Sequence, residues 1–175
     1  AFVKYPIDVL YKDNPYFVPP LVVDMLVTLD EKKNPAFEFC EMQLFLAYRD
    51  SKIVGRIGAI INHRANKAWN EKTGRFGCVD FIEDNEVVDA LFGAAQQWVL
   101  SKGMNAIVGP MGFCDLDPQG LLVEGYDRVS TMATVYSYPY YKEQIERIGF
   151  AKEADWKEFL IRVPEETPER HRRIA

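Results

Sequence analysis

The stretch from Gly109 to Tyr141 is the most unusual of the chain in the side chains it gathers. It holds Asp115, Asp117, Glu124 and Asp127, glycines at 112, 120 and 125, and many aromatic residues. A segment this long without clear periodicity is commonly functional. Asp115-x-Asp117 can orient an amine, act as a base or hold a cation; turn-forming carboxylates on a surface loop are the plainer alternative. The pattern lacks the glycine offset and closing glutamate of a calcium loop, so no metal is predicted. Asp115, Asp117, Glu124 and Tyr138 are therefore the candidate substrate-binding residues, for a polar or cationic substrate. At the end of the stretch stand Tyr138, Tyr140 and Tyr141, and a tyrosine near its usual pKa of about 10 is a credible acid for a thiolate. The alternative for these rings is packing onto a sheet with their hydroxyls satisfied locally.

Other chemistry is poorly supported. Cys40, Cys78 and Cys114 are widely spaced, and with only His63 and His171 to help they make no zinc pattern. They read as reduced, partly buried thiols of a cytoplasmic protein. His63 reads as a turn residue bonded to backbone, and no nucleophile elbow or cysteine signature accompanies it. Trp69, Trp98 and Trp156 read as core or interface anchors. A modest basic cluster, Arg162 with Arg170, Arg172 and Arg173, is explained by a solvated helix face.

The chain has 175 residues, which is one ordinary domain, and its 48% hydrophobic and 27% charged residues match a globular protein. Lys and Arg number 21 against 26 Asp and Glu, a net charge of −5. That balance argues against a nucleic-acid surface or an anionic membrane as partner, since both require neutralised phosphates. No apolar run approaches the roughly 18–20 residues of a membrane span, and no secretory signal is visible.

The elements that must position these residues follow from periodicity and punctuation. An amphipathic stretch from Phe2 to Leu10 ends at Asp13-Asn14-Pro15. Pro19-Pro20 opens a helix in which Leu21, Val22, Met25, Leu26 and Leu29 are predicted to form one buried face. Met42–Tyr48 and Ile53–Ile61 read as a hairpin around Arg49-Asp50-Ser51-Lys52. Asn62–Thr73 is a loop or short helix, and Arg75–Ile82 a third strand. Asp84 or Asn85 caps a helix with the apolar stripe Val87, Val88, Leu91, Phe92, Ala95, Trp98 and Val99, closed by Gly103. A short strand at Ala106–Val108, a helix over Tyr140–Ile148 ended by Gly149, and a last strand around Trp156–Val163 complete the order. The fold class is a layered α/β (α+β) arrangement, a mixed central sheet flanked by helices.

Two segments give this order a resemblance. Ser51-Lys52-Ile53-Val54-Gly55-Arg56-Ile57 is similar to the usual second-to-third strand hairpin of the GNAT acyltransferase superfamily. Tyr140-Tyr141-Lys142-Glu143-Gln144-Ile145-Glu146-Arg147-Ile148-Gly149-Phe150 is similar to its last helix and terminal Gly-Phe. Tyr11-Lys12-Asp13-Asn14-Pro15, Val18-Pro19-Pro20-Leu21, Lys33-Asn34-Pro35-Ala36-Phe37, Asn62-His63 and Val108-Gly109-Pro110-Met111-Gly112-Phe113 resemble an uncharacterised bacterial branch of it. The resemblance covers about Phe2 to Val163. It implies a GNAT-like domain over 1–163 that lacks its first strand, and over 164–175 the start of a linker or helix toward a second domain of a parent chain.

The same resemblance implies acetyl-CoA or another acyl-CoA as donor, Phe81 and Ile82 as cofactor-binding residues, and a catalytic tyrosine in the last helix, for which Tyr140 and Tyr141 are the candidates if the helix is shifted. The acceptor would be a small-molecule amine. Two departures stand out. The superfamily's glycine-rich pyrophosphate turn is replaced by Phe81-Ile82-Glu83-Asp84-Asn85-Glu86, with no glycine and three carboxylates, which reads as a helix cap. Arg56-Ile57-Gly58-Ala59 matches the turn only superficially, inside a predicted strand. The tyrosine four residues before the terminal Gly-Phe is Ile145. Two functions are therefore open: an acyl-CoA-dependent N-acyltransferase, and a catalytically degenerate GNAT-like domain that binds substrate or a partner domain.

Overall fold

A computed structural model describes residues 1–131, 134–163 and 165–166. Its centre is a four-stranded mixed sheet in the order β1-β2-β3-β4, comprising Cys40–Arg49, Lys52–Asn62, Thr73–Phe81 and Ala106–Val108. The first three strands are antiparallel and β4 is parallel to β3. Asp50 and Ser51 link β1 to β2 with φ of 48° and 64°. Two left-handed residues make the two-residue turn whose twist suits a hairpin, which sets the register Arg49 opposite Lys52.

Helix α1 (Val22–Thr28) precedes the hairpin, α2 (His63–Trp69) joins β2 to β3, and α3 (Asn85–Ser101) follows β3. The Asp84 carboxylate caps α3 by accepting from Val87 N at 3.2 Å. Val87, Val88, Leu91, Phe92, Ala95 and Val99 are buried, so this stripe forms the core against the sheet. The helix lies close because Gly55 and Gly74 carry no side chain. A Cβ would come within 2.6 Å of Leu91 at the first and 2.5 Å of Val99 at the second. Helix α4 (Tyr140–Arg147) adds Tyr141 and Ile145 to the same core. Gly149, at φ 98°, then turns the chain so that the Phe150 ring packs 5.2 Å from Phe76 and 5.5 Å from Phe92.

Strand β3 carries a bulge. Gly58 pairs with Gly77, yet Arg56 pairs with Asp80, so one extra residue is absorbed on β3. Cys78 takes it up with φ 47°. The bulge brings Asp80 opposite Arg56.

Several expectations are corrected. The apolar face of α1 is not buried: Leu21 is 71% and Leu26 56% exposed, because among the described residues no other element lies over them. Trp156–Val163 is not a strand. It is irregular, with Trp156, Phe159, Leu160, Ile161 and Val163 all exposed, since aromatic and aliphatic residues favour an extended chain but a strand exists only with a hydrogen-bonding partner. Trp69 is exposed as well, whereas Trp98 packs against the core. His63 begins α2, and its ring bonds Glu41 at 2.8 Å rather than backbone. The three cysteines are free; Cys40 is buried but Cys114 is exposed. Arg162 is exposed, while His171, Arg170, Arg172 and Arg173 lie outside the described residues, as does most of 164–175. Among the described residues no helix is long and apolar enough to cross a membrane.

Candidate functional site

The sheet opens beyond Arg75, where β4 ends and β3 continues to Phe81 with only β2 as a strand partner. The first turn of α4 fills that opening with tyrosines. Tyr141 Oη accepts from Phe81 N at 3.1 Å and from the Tyr11 hydroxyl at 2.9 Å, and donates to Asp80 Oδ1 at 3.4 Å. Tyr140 donates to Phe81 O at 2.7 Å. Asp80 Oδ2 in turn holds Arg56, with Nε at 2.7 Å and Nη2 at 2.6 Å, and Arg56 Nη1 donates to Phe2 O at 3.0 Å. Both charged residues are buried.

This constellation has a defined protonation state. Burial, followed by the Asp80 charge, pushes the Tyr141 and Tyr11 hydroxyls well above the ordinary tyrosine range. Burial raises Tyr140 as well. All three keep their protons at neutral pH. Tyr141 is only 1% exposed and its hydroxyl is fully engaged, so it positions its neighbours. Tyr140 is half-buried and stacks on Tyr138, with ring centroids 5.6 Å apart.

The structure thus brings Phe81, Tyr138, Tyr140 and Tyr141 together. The backbone groups that Phe81 and Ile82 would offer a cofactor are in use: both of Phe81's by the tyrosines, and Ile82 N by Val54 O at 3.1 Å. The turn beyond them is closed by its own charges. Arg49 pairs with Asp84 at 2.5 Å and with Glu86 at 2.9 Å, and these contacts hold the Asp84 carboxyl below its usual range. A carboxylate already sits where the helix N-terminus would receive an anion. The residues present do not fit a pyrophosphate.

The remaining candidates lie apart from the tyrosine stack. Asp117 Oδ2 accepts from Cys114 N at 3.0 Å and so shapes a local turn. Asp115 and Glu124 are exposed, and among the described residues no hydrogen bond or ion pair links either to the tyrosines. Tyr138 instead lines a cleft of about 450 Å³, together with residues of the 9–16 stretch, among them Asp13, and with Tyr126 and Tyr136.

Arg56, Asp80, Tyr11 and Asp13 were not singled out from sequence as site residues. The available signal was a charge inside an otherwise apolar strand at Arg56 and Asp80, which rarely survives burial unpaired. Nothing local connects Tyr11 to Tyr141.

No family model matches the chain. It is 36% identical over 155 residues to protein YghO of Escherichia coli (strain K12), covering 89% of this chain and 39% of that protein. It is 33% identical, also over 155 residues, to the bacterial ceramide synthase of Caulobacter vibrioides (strain NA1000 / CB15N), covering 88% of this chain and 40% of that protein. The chain therefore spans about two-fifths of the length of the curated relatives it matches. Among solved structures, a probable acetyltransferase superposes with a TM-score of 0.45 and 14% identity, covering 92% of this chain and 90% of the other. Over nearly nine-tenths of its length the chain is homologous to part of two bacterial proteins, protein YghO and a ceramide synthase.

Proposed function

We propose that the chain is an N-acyltransferase domain that joins an activated acyl group to an amine. The observation that carries this reading is the 33% identity, over 88% of the chain, to a ceramide synthase. A ceramide is by definition an amide of a long-chain amino alcohol, so its synthesis acylates an amine. In such a step the amine nitrogen attacks the acyl carbonyl carbon, an N–C bond forms, and the bond to the leaving group breaks. The nitrogen loses one proton and the leaving group gains one.

Tyr140 is suited to supply that proton. It stands half-buried at the open end of the sheet and gives its hydrogen to a backbone carbonyl; burial keeps it protonated and makes it a weaker acid than an ordinary tyrosine. Tyr141 acts as a positioning residue that fixes the end of β3. The turn at Phe81–Glu86 is excluded as the seat of a pyrophosphate, so the acyl donor is held elsewhere.

The test is amide formation followed by mass spectrometry, with acetyl-CoA and palmitoyl-CoA as donors and octylamine and sphinganine as acceptors. Amide is expected with at least one pair, and Tyr140→Phe is expected to lower kcat about 10²-fold or more while leaving KM for the amine little changed. Absence of amide with every pair, or an unchanged kcat in Tyr140→Phe, overturns the reading.

A further inference from the structure

The cleft beside Tyr138 has an unusual chemical balance. Its walls are the rings of Tyr16, Tyr126, Tyr136 and Tyr138 with Leu10, and its charged group is Asp13. Three of the tyrosine hydroxyls are spent on backbone: Tyr126 on Leu122 O at 3.1 Å, Tyr136 on Tyr126 O at 3.1 Å, and Tyr138 on Leu10 O at 3.2 Å. Those three hydroxyls already donate to backbone and are not free to donate to a ligand. No Lys or Arg lines the space, and among the described residues Asp13 forms no ion pair.

An aromatic wall with one exposed carboxylate attracts a cation and repels an anion. Ring faces carry negative potential toward an ammonium group, and the carboxylate adds a full charge. Aromatic and aliphatic walls also favour an apolar body. A volume of about 450 Å³ lies within the range of small-molecule sites, roughly 300–1,000 Å³.

We infer that this cleft is the acceptor site for a protonated primary amine carried on an apolar chain, with Asp13 as its anion and the tyrosine rings as its walls. The inference rests on the proposed acyl transfer for its purpose, but not for its binding chemistry. Asp13 orients the ammonium group in the encounter complex, and the amine must give up a proton before it attacks.

Calorimetric titration with octylammonium, octanol and octanoate tests it directly. Octylammonium is expected to bind more tightly than octanol, and octanoate most weakly. Asp13→Asn is expected to weaken octylammonium about two- to fivefold, the range of an exposed ion pair, and to leave octanol unchanged. Asp8→Asn, an exposed carboxylate outside the cleft, is expected to change neither. Equal affinity for all three probes, or an unchanged octylammonium affinity in Asp13→Asn, overturns the assignment. The two proposals fail separately. Selective amine binding without amide formation removes the acyl transfer alone, whereas amide formation with binding and KM insensitive to Asp13→Asn removes the acceptor site alone.

Discussion

The Tyr141 hydroxyl caps the free end of β3 by accepting the Phe81 N–H at 3.1 Å, so that a side chain takes the place of the next strand. Its neighbour Tyr140 returns a proton to the Phe81 carbonyl, and the residue is bonded on both sides as it would be in a ladder. The sheet can therefore open without leaving buried polar groups unpaired, and none is unpaired among the described side chains.

Removing that acceptor should be costly. Tyr141→Phe strands the Phe81 N–H and the Tyr11 hydroxyl in the core, a loss of about 1–3 kcal/mol for an unsatisfied buried group. Urea unfolding is expected to show a lower midpoint at unchanged slope. Tyr140→Phe, which removes a half-exposed bond, should cost about 0.5–1.5 kcal/mol. Equal stability of Tyr141→Phe and the wild type would refute the capping role.

The Arg56–Asp80 pair should behave as a unit. Arg56→Met leaves a buried carboxylate without its cation and is expected to lose about 3–5 kcal/mol. Arg56→Met combined with Asp80→Leu should recover much of that loss, apart from the weak bond from Tyr141. A double-mutant cycle in urea measures the coupling. Additive effects would mean that the two charges are stabilised independently.

Alkaline titration should separate the tyrosines. Burial holds the hydroxyls of Tyr11, Tyr140 and Tyr141 above the ordinary tyrosine range in the folded state. A raised acid contributes stability that is fully present below the unfolded pKa and is lost as pH rises through the folded value. Stability is therefore expected to be flat below about pH 10 and to fall above it. Phenolate absorbance of the folded protein should show fewer than its nine tyrosines ionising near pH 10. The rest should appear together with unfolding, as followed by circular dichroism. Nine ordinary titrations in the folded state would contradict the buried network.

Much of the scaffold was written locally. Asp84 is followed three residues later by the amide it caps, and the stripe from Val87 to Val99 repeats at helical spacing. The Arg49–Lys52 hairpin and the Ala106–Val108 strand were likewise legible from short-range pattern. The departure of Phe81–Glu86 from a glycine-rich turn was legible too, because a missing glycine and three carboxylates are facts of composition.

Partnership decided the rest. Leu21 and Leu26 of α1 have the spacing of a buried face, but burial requires another surface, and among the described residues none lies over them. Trp156–Val163 is rich in aromatic and aliphatic residues like a strand and, among the described residues, has no strand to pair with. The site depended on distant encounters: Tyr141 meets Asp80 across 61 positions and Tyr11 across 130, after a one-residue bulge has set Asp80 opposite Arg56. The sequence by itself determined the helix cap, the hairpin and the closed acidic turn, because each depends on torsions and hydrogen bonds within a few residues. Only the tertiary structure decided that three tyrosines would close the sheet and that Asp13 would face the aromatic cleft, because side chains far apart in the chain are brought into contact only by packing.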